Sequence, residues 1–307
     1  MRVTVFRVFT GAGVLVAAVL LSSCSGSDDP DAGAESIKTQ AESVLHPTGA
    51  GVASVDATQT PIDGDADADP LDADHWAVDI NVVMTEQATA DQVASAARST
   101  RAFSKQYVGT GRWTAHVTVG EIEPVAGDDR TEPAAVQVEI YPKVRVSAAA
   151  DARAAMAVKA LRGVDGVAIA GGVADVRVGK AGDLPGVVTS LRRLSLWKDG
   201  GNLDAEAGRI RLSDVPQRVT IAQLKAIVRE GVAHPHADLA LESSGRSPEL
   251  YVNHMTLAEG RKLASALTDP ALARRNADGF ELEFNVRTTD ADKTVDIHGT
   301  FGRPRSL

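Results

Sequence analysis

The chain switches repeatedly between two periodicities, and that alternation restricts its fold more than any single motif. Along 76–84, Trp76, Val78, Ile80, Val82 and Met84 share one parity while Asp79 and Asn81 take the other. Along 280–286, Phe280, Leu282, Phe284 and Val286 alternate with Glu281, Glu283 and Asn285. A period of two gives a strand one dry and one wet face. Between such stretches the spacing changes: Val93, Ala96, Ala97, Thr100, Phe103 and Tyr107 form the apolar stripe of a helix lying on a sheet. Three helix starts carry capping boxes, Thr89 with Gln92, Thr220 with Gln223 and Thr256 with Glu259, each able to satisfy amide donors left orphaned in a first turn.

Taken in chain order, these signals predict helix 35–46 with strands 50–58 and 75–85, helix 89–107 with strands 112–121 and 134–142, and helix 149–162 with strands 165–170 and 173–179. The second half predicts helix 183–191 with strands 193–198 and 208–213, helix 220–230 with strands 237–242 and 248–253, and helix 256–268 with strands 279–287 and 294–301. A helix followed by two strands thus recurs six times along the chain. Doubly wound parallel sheets alternate single strands with helices. Paired strands point instead to an α+β fold of tandem αββ units, with antiparallel sheets and helices packed on one face. The Gly- and Pro-bearing segment 179–187 (GKAGDLPGV) is the expected boundary between two similar α+β domains, 35–180 and 181–307.

At the amino terminus, Arg2 and Arg7 form a positive head and Gly11–Leu21 an uncharged apolar run of export-signal length, too short to span a bilayer comfortably. Leu21-Ser22-Ser23-Cys24 follows, and it resembles the lipobox of bacterial lipoproteins. That resemblance implies a signal peptide at 1–23 cut between Ser23 and Cys24, diacylglycerol joined to the Cys24 thiol, and an acidic tether at 24–34. The residue types suit the chemistry, since small side chains admit a peptidase and a thiol is the best acceptor nucleophile available. Each buried acyl CH₂ contributes about 0.8 kcal/mol, so two or more chains hold a protein stably where one does not. The expected location is the extracytoplasmic face of the cell membrane. The bland alternative is an ordinary secretory signal cut near Ser23 with a free Cys24. As Cys24 is the only cysteine, the exported part has neither a disulfide framework nor a thiolate metal site. Joined to an envelope location, the element order resembles that of the BON domains of bacterial envelope proteins, and a split βαβ arrangement would produce the same order.

Charge narrows the partners. The formal net charge is −9, and −11 once Arg2 and Arg7 are removed with the signal. An acidic surface argues against a nucleic-acid binder, which needs a basic face to displace counterions, and against electrostatic docking on anionic headgroups.

Candidate sites are few. Asp63, Asp65, Asp67, Asp69 and Asp74 in DGDADADPLDAD fall on calcium-loop positions, but Ala68 stands where the sharp turn needs Gly, Pro70 follows, and Asp74 replaces the longer bidentate Glu. A flexible acidic loop is the default there, with calcium as the alternative cofactor. His234 and His236 flank Pro235 and can meet one metal if Asp238 or His254 supplies a third ligand, although Pro235 equally marks a turn between helix and strand. Trp197 is out of step with Leu194 and Leu196, which puts it on a wet face or at a strand end as a candidate partner contact. No G-x-S-x-G elbow, H-E-x-x-H or phosphate loop is present. The leading expectation is a non-enzymatic envelope lipoprotein that binds or organises an envelope protein. The alternatives are a carboxylate-based hydrolase or transferase of cell-wall material and a small-ligand binder at the cleft between the two halves.

Overall fold

The structure, a computed structural model, describes residues 40–303 apart from 42, 46–50, 62–75, 108–112, 121–134, 142–145, 199–202, 215–217, 244–246, 276–278 and 291–292. Helical residues at 40, 41 and 43–45 form α1. The hairpin β1 (Val52–Pro61) and β2 (Trp76–Met84) comes next, followed by α2 (Ala90–Tyr107), β3 (Trp113–Val119), β4 (Val136–Glu139), α3 (Ala148–Lys159), β5 (Val164–Ala170) and β6 (Val173–Val178). A 3₁₀ turn at Ala181–Asp183 leads into α4 (Leu184–Leu191), α5 (Ser195–Lys198), β7 (Leu203–Ala207) and β8 (Ile210–Asp214). The chain then forms α6 (Ile221–Ala233), β9 (Asp238–Glu242), β10 (Glu249–Met255), α7 (Leu257–Leu267), β11 (Glu283–Asp290) and β12 (Lys293–Thr300).

All twelve strands among the described residues belong to one sheet, and their spatial order is their chain order. Within each hairpin the strands are antiparallel, from β1 with β2 through to β11 with β12. Across each helical connection they are parallel, β2 with β3, β4 with β5, β6 with β7, β8 with β9 and β10 with β11. The expected antiparallel sheets are thus corrected to one mixed sheet. A helix that runs back along the sheet returns the chain to the end at which the preceding strand began, so the next strand pairs in parallel. Residues 179–187 do not interrupt the ladder, because Ala174 to Arg177 pair with Leu203 to Glu206 on either side of them.

One row shows how the core is built. Met84, Val119, Val136, Val167, Val176, Ala205, Leu212, Leu241, Leu250 and Phe284 are successive cross-strand partners over ten strands, and all are buried. The wet parity lies on the opposite face. Helices cover the dry face, α3 over β4 and β5, and α7 over β11 and β12. Close approach requires a small residue at one point in particular: a Cβ on Gly260 of α7 would lie 2.3 Å from Thr288 Cγ2. At the same end Phe284 and Phe301 meet edge to face, with centroids 5.9 Å apart.

All three expected capping boxes form. Thr89 N–H donates to Gln92 Oε1 at 2.8 Å and Gln92 N–H to Thr89 Oγ1 at 3.3 Å, and the boxes at Thr220 and Thr256 are reciprocal in the same way. One segment departs from expectation. Residues 195–198 form the short helix α5 and not a strand, and the hairpin lies later, at β7 and β8. Leu194 and Leu196 mimic strand alternation. The real alternation is Leu203, Ala205 and Ala207, then Ile210 and Leu212, across a tight turn in which Gly208 takes φ +59°.

Candidate functional site

Helices cover one face of the sheet, and the other carries the polar parity of every hairpin. Its central row runs Gln137, Ala168, Asp175, Asp204, Ser213, Glu242, Glu249 and Glu283, each the register partner of the next. The row exists because the core row beside it is dry at every strand, so the neighbouring position must face the other way. Three adjacent pairs in it are like-charged: Asp175 with Asp204, Glu242 with Glu249, and Glu249 with Glu283. Like charges directly opposite each other destabilise a sheet.

The middle of this face is hollow. A trough of about 760 Å³ opens over β5 to β9, with Ala168, Ser213 and Ala240 as its short floor residues and Asp175, Asp204, Glu206 and Glu242 as its acids. Two bases, Arg177 and Arg211, also line it. Arg211 Nε lies 3.6 Å from Glu206 Oε2. The Arg177 guanidinium lies against Gly166, where an added Cβ would come within 2.2 Å of it. Asp175 keeps contact with solvent, yet its carboxyl is pushed above the usual aspartate range, first by partial desolvation and then by the charges of Asp204 and Glu206, with Arg211 opposing. Asp204 Oδ1 has no hydrogen-bond partner among the described residues.

Two tyrosines flank the trough on the same face, each tied to the acid two residues before it. Tyr251 Oη donates to Glu249 Oε2 at 2.7 Å, and this bond, followed by desolvation and the Glu249 and Glu242 charges, pushes the phenol up to about 12. Tyr141 Oη donates to Glu139, with its pKa raised for the same leading reason. Behind this second pair, at the start of α3, the carboxylate of Asp151 is almost fully buried. Burial raises its pKa against a hydrogen bond from the Gly172 amide, and its Oδ1 is unpartnered among the described residues. The cavity beside Glu139, Tyr141 and Asp151 measures about 10 Å³, room for roughly one water molecule.

The histidines separate into different pairs. His234 and His236 rings stand edge to face, 6.3 Å apart, but His236 Nε2 faces Glu259 Oε2 at 3.4 Å while His254 Nε2 faces Asp238 Oδ2 at 3.0 Å. The proposed ligands do not converge, and among the described residues no group of three or more His, Cys, Asp or Glu side chains is placed to hold a metal ion. Trp197 is corrected: it is fully buried on α5, because helical geometry turns it into the core where strand parity would have exposed it. Ser23, Cys24, Asp63, Asp65, Asp67 and Asp74 lie outside the described residues. The trough acids escaped the sequence reading because they come from three strands spread over 175–242, and only the register brings them together. The one available signal was their shared wet parity.

No protein-family model, curated protein or solved structure matches the chain.

Proposed function

We propose that the chain is a lipoprotein tethered through Cys24 to the extracytoplasmic face of the cell membrane, and that it acts without catalysis, docking an envelope protein on the face of its sheet opposite the helices. The supporting observation is the like-charged row Asp175, Asp204, Glu242, Glu249 and Glu283, which spends stability on a face that holds no part of the core. A polar, half-accessible sheet face needs no such repulsion for solubility alone, as alternating signs would serve better. In the two-domain reading three αββ units lie on each side of 179–187, and strands from both sides, β5 and β6 before it and β7 to β9 after it, line one trough. The test is site-specific photo-crosslinking in intact envelopes. A crosslinker at Ala240 on the trough floor captures a protein that one at exposed Lys262 on α7 does not; equal or no capture from the two positions contradicts the reading.

A second reading rests on Asp175 and Asp204 themselves, two neighbouring carboxylates in a hollow with one pKa raised, the arrangement a carboxylate hydrolase of cell-wall material would use. Release of soluble fragments from purified cell wall, lost on Asp175→Asn, would favour it over docking.

A further inference from the structure

We infer that the trough takes a cationic polypeptide segment, lysine- or arginine-bearing and extended, laid across the strands along the row from Asp175 to Glu283. This rests on the docking reading and adds the chemistry of the partner.

Charge complementarity carries the inference. Four acids and two bases line the trough, and the acid row continues beyond it through Glu249 and Glu283. In that row Ser213 is the one uncharged position between Asp175 and Glu283. The two arginines lie off the row: Arg177, Glu206, Arg211 and Ala240 are register partners in the next row over. A cation is therefore attracted along one row and repelled from its neighbour at Arg177 and Arg211, which confines it to a line perpendicular to the strands.

Dimensions select a polypeptide. Neighbouring strands lie about 4.8 Å apart, so the five spacings from β6 to β11 span about 24 Å. An extended segment advances about 3.3 Å per residue, so roughly eight residues cover that length with four side chains turned to the acids. The short floor at Ala168, Ser213 and Ala240 leaves room for the segment's backbone. A spermine-sized polyamine could neutralise part of the row but carries no side chains to fill the hollow.

The test is calorimetry on the full chain in detergent, with a blocked octalysine peptide as the probe. Three chains are compared: the unaltered one, one carrying Asp175→Asn, Asp204→Asn and Glu242→Gln, and one carrying Glu86→Gln, Asp91→Asn and Asp183→Asn, three exposed acids off the row that change net charge equally. The expected result is one peptide per chain, an affinity at least about tenfold lower in the trough variant, and a change under about twofold in the control variant. The trough substitutions relieve repulsion, so thermal unfolding at or above the unaltered midpoint verifies that this variant folds. Equal loss in both variants, or no binding to the unaltered chain, overturns the inference. So does spermine bound as tightly as octalysine, which would reassign the row to small cations. If crosslinks from Ala240 persist while octalysine does not discriminate, the docking reading stands and only the cationic partner fails. If both vanish, docking itself fails.

Discussion

Asp175 and Asp204 are register partners on the parallel strands β6 and β7, with both carboxylates in the same trough. Their juxtaposition has a measurable pH signature. The native Asp175 pKa lies above its ordinary value of 3.8, so between those two values the folded chain holds more protons than the unfolded one. Stability from this site therefore falls as pH rises through the native pKa and is regained as pH falls. Asp204→Asn is expected to stabilise the chain at pH 7 by about 0.2–1 kcal/mol, the scale of a cross-strand like-charge pair, and to confer no such gain near pH 3. Urea unfolding at the two pH values checks it.

Glu259 shows the opposite sign. Hydrogen bonds from the Thr256 backbone and side chain, with the His236 charge adding less, lower its carboxyl from 4.5 to about 2. Its contribution is complete above pH 4.5 and is lost as pH falls toward about 2. An NMR titration should find this glutamate still ionised at pH 3, and Thr256→Ala should return its pKa toward the ordinary range.

These boxes also show what a sequence can reveal. Thr220 and Gln223 are three residues apart, and their pairing was readable because a cap is local. The same local logic located the hairpins, since Val78, Ile80 and Val82 state their own parity. It failed at Trp197, where Leu194 and Leu196 imitate a strand although a four-residue helix begins at Ser195. Above all, it could not join Asp175 to Asp204 or Glu242 to Glu249, because register between strands is decided by packing across the whole sheet. Thr220→Ala should cost about 1 kcal/mol, seen as a shift in the urea midpoint with unchanged slope.

Gly260 tests the fit of α7 on the sheet. Alanine there gains up to about 1 kcal/mol of helix propensity, but its methyl meets Thr288 Cγ2, whose Oγ1 donates to the Val295 carbonyl at 2.9 Å and resists rotation. Overpacking costs about 1–3 kcal/mol, so Gly260→Ala is expected to destabilise. Adding Thr288→Ser, which removes the obstructing methyl, should recover most of the loss in a double-mutant cycle.

The proposed anchor makes a direct prediction. Cys24→Ala should move the chain from the membrane pellet to the soluble exported fraction and abolish metabolic labelling with palmitate. Retention in the pellet with no change in labelling would remove the tether from the account.

The account's central claim, that the acid row on the face away from the helices meets a partner in the envelope, is tested most directly by carbodiimide footprinting of carboxylates, comparing intact envelopes with the purified chain. Asp175, Asp204 and Glu242 should label several-fold less in envelopes, while Asp91, on the helix face with its side chain 86% exposed, labels equally in both. Equal labelling of the trough acids in the two samples would show that nothing covers them, and would contradict the account.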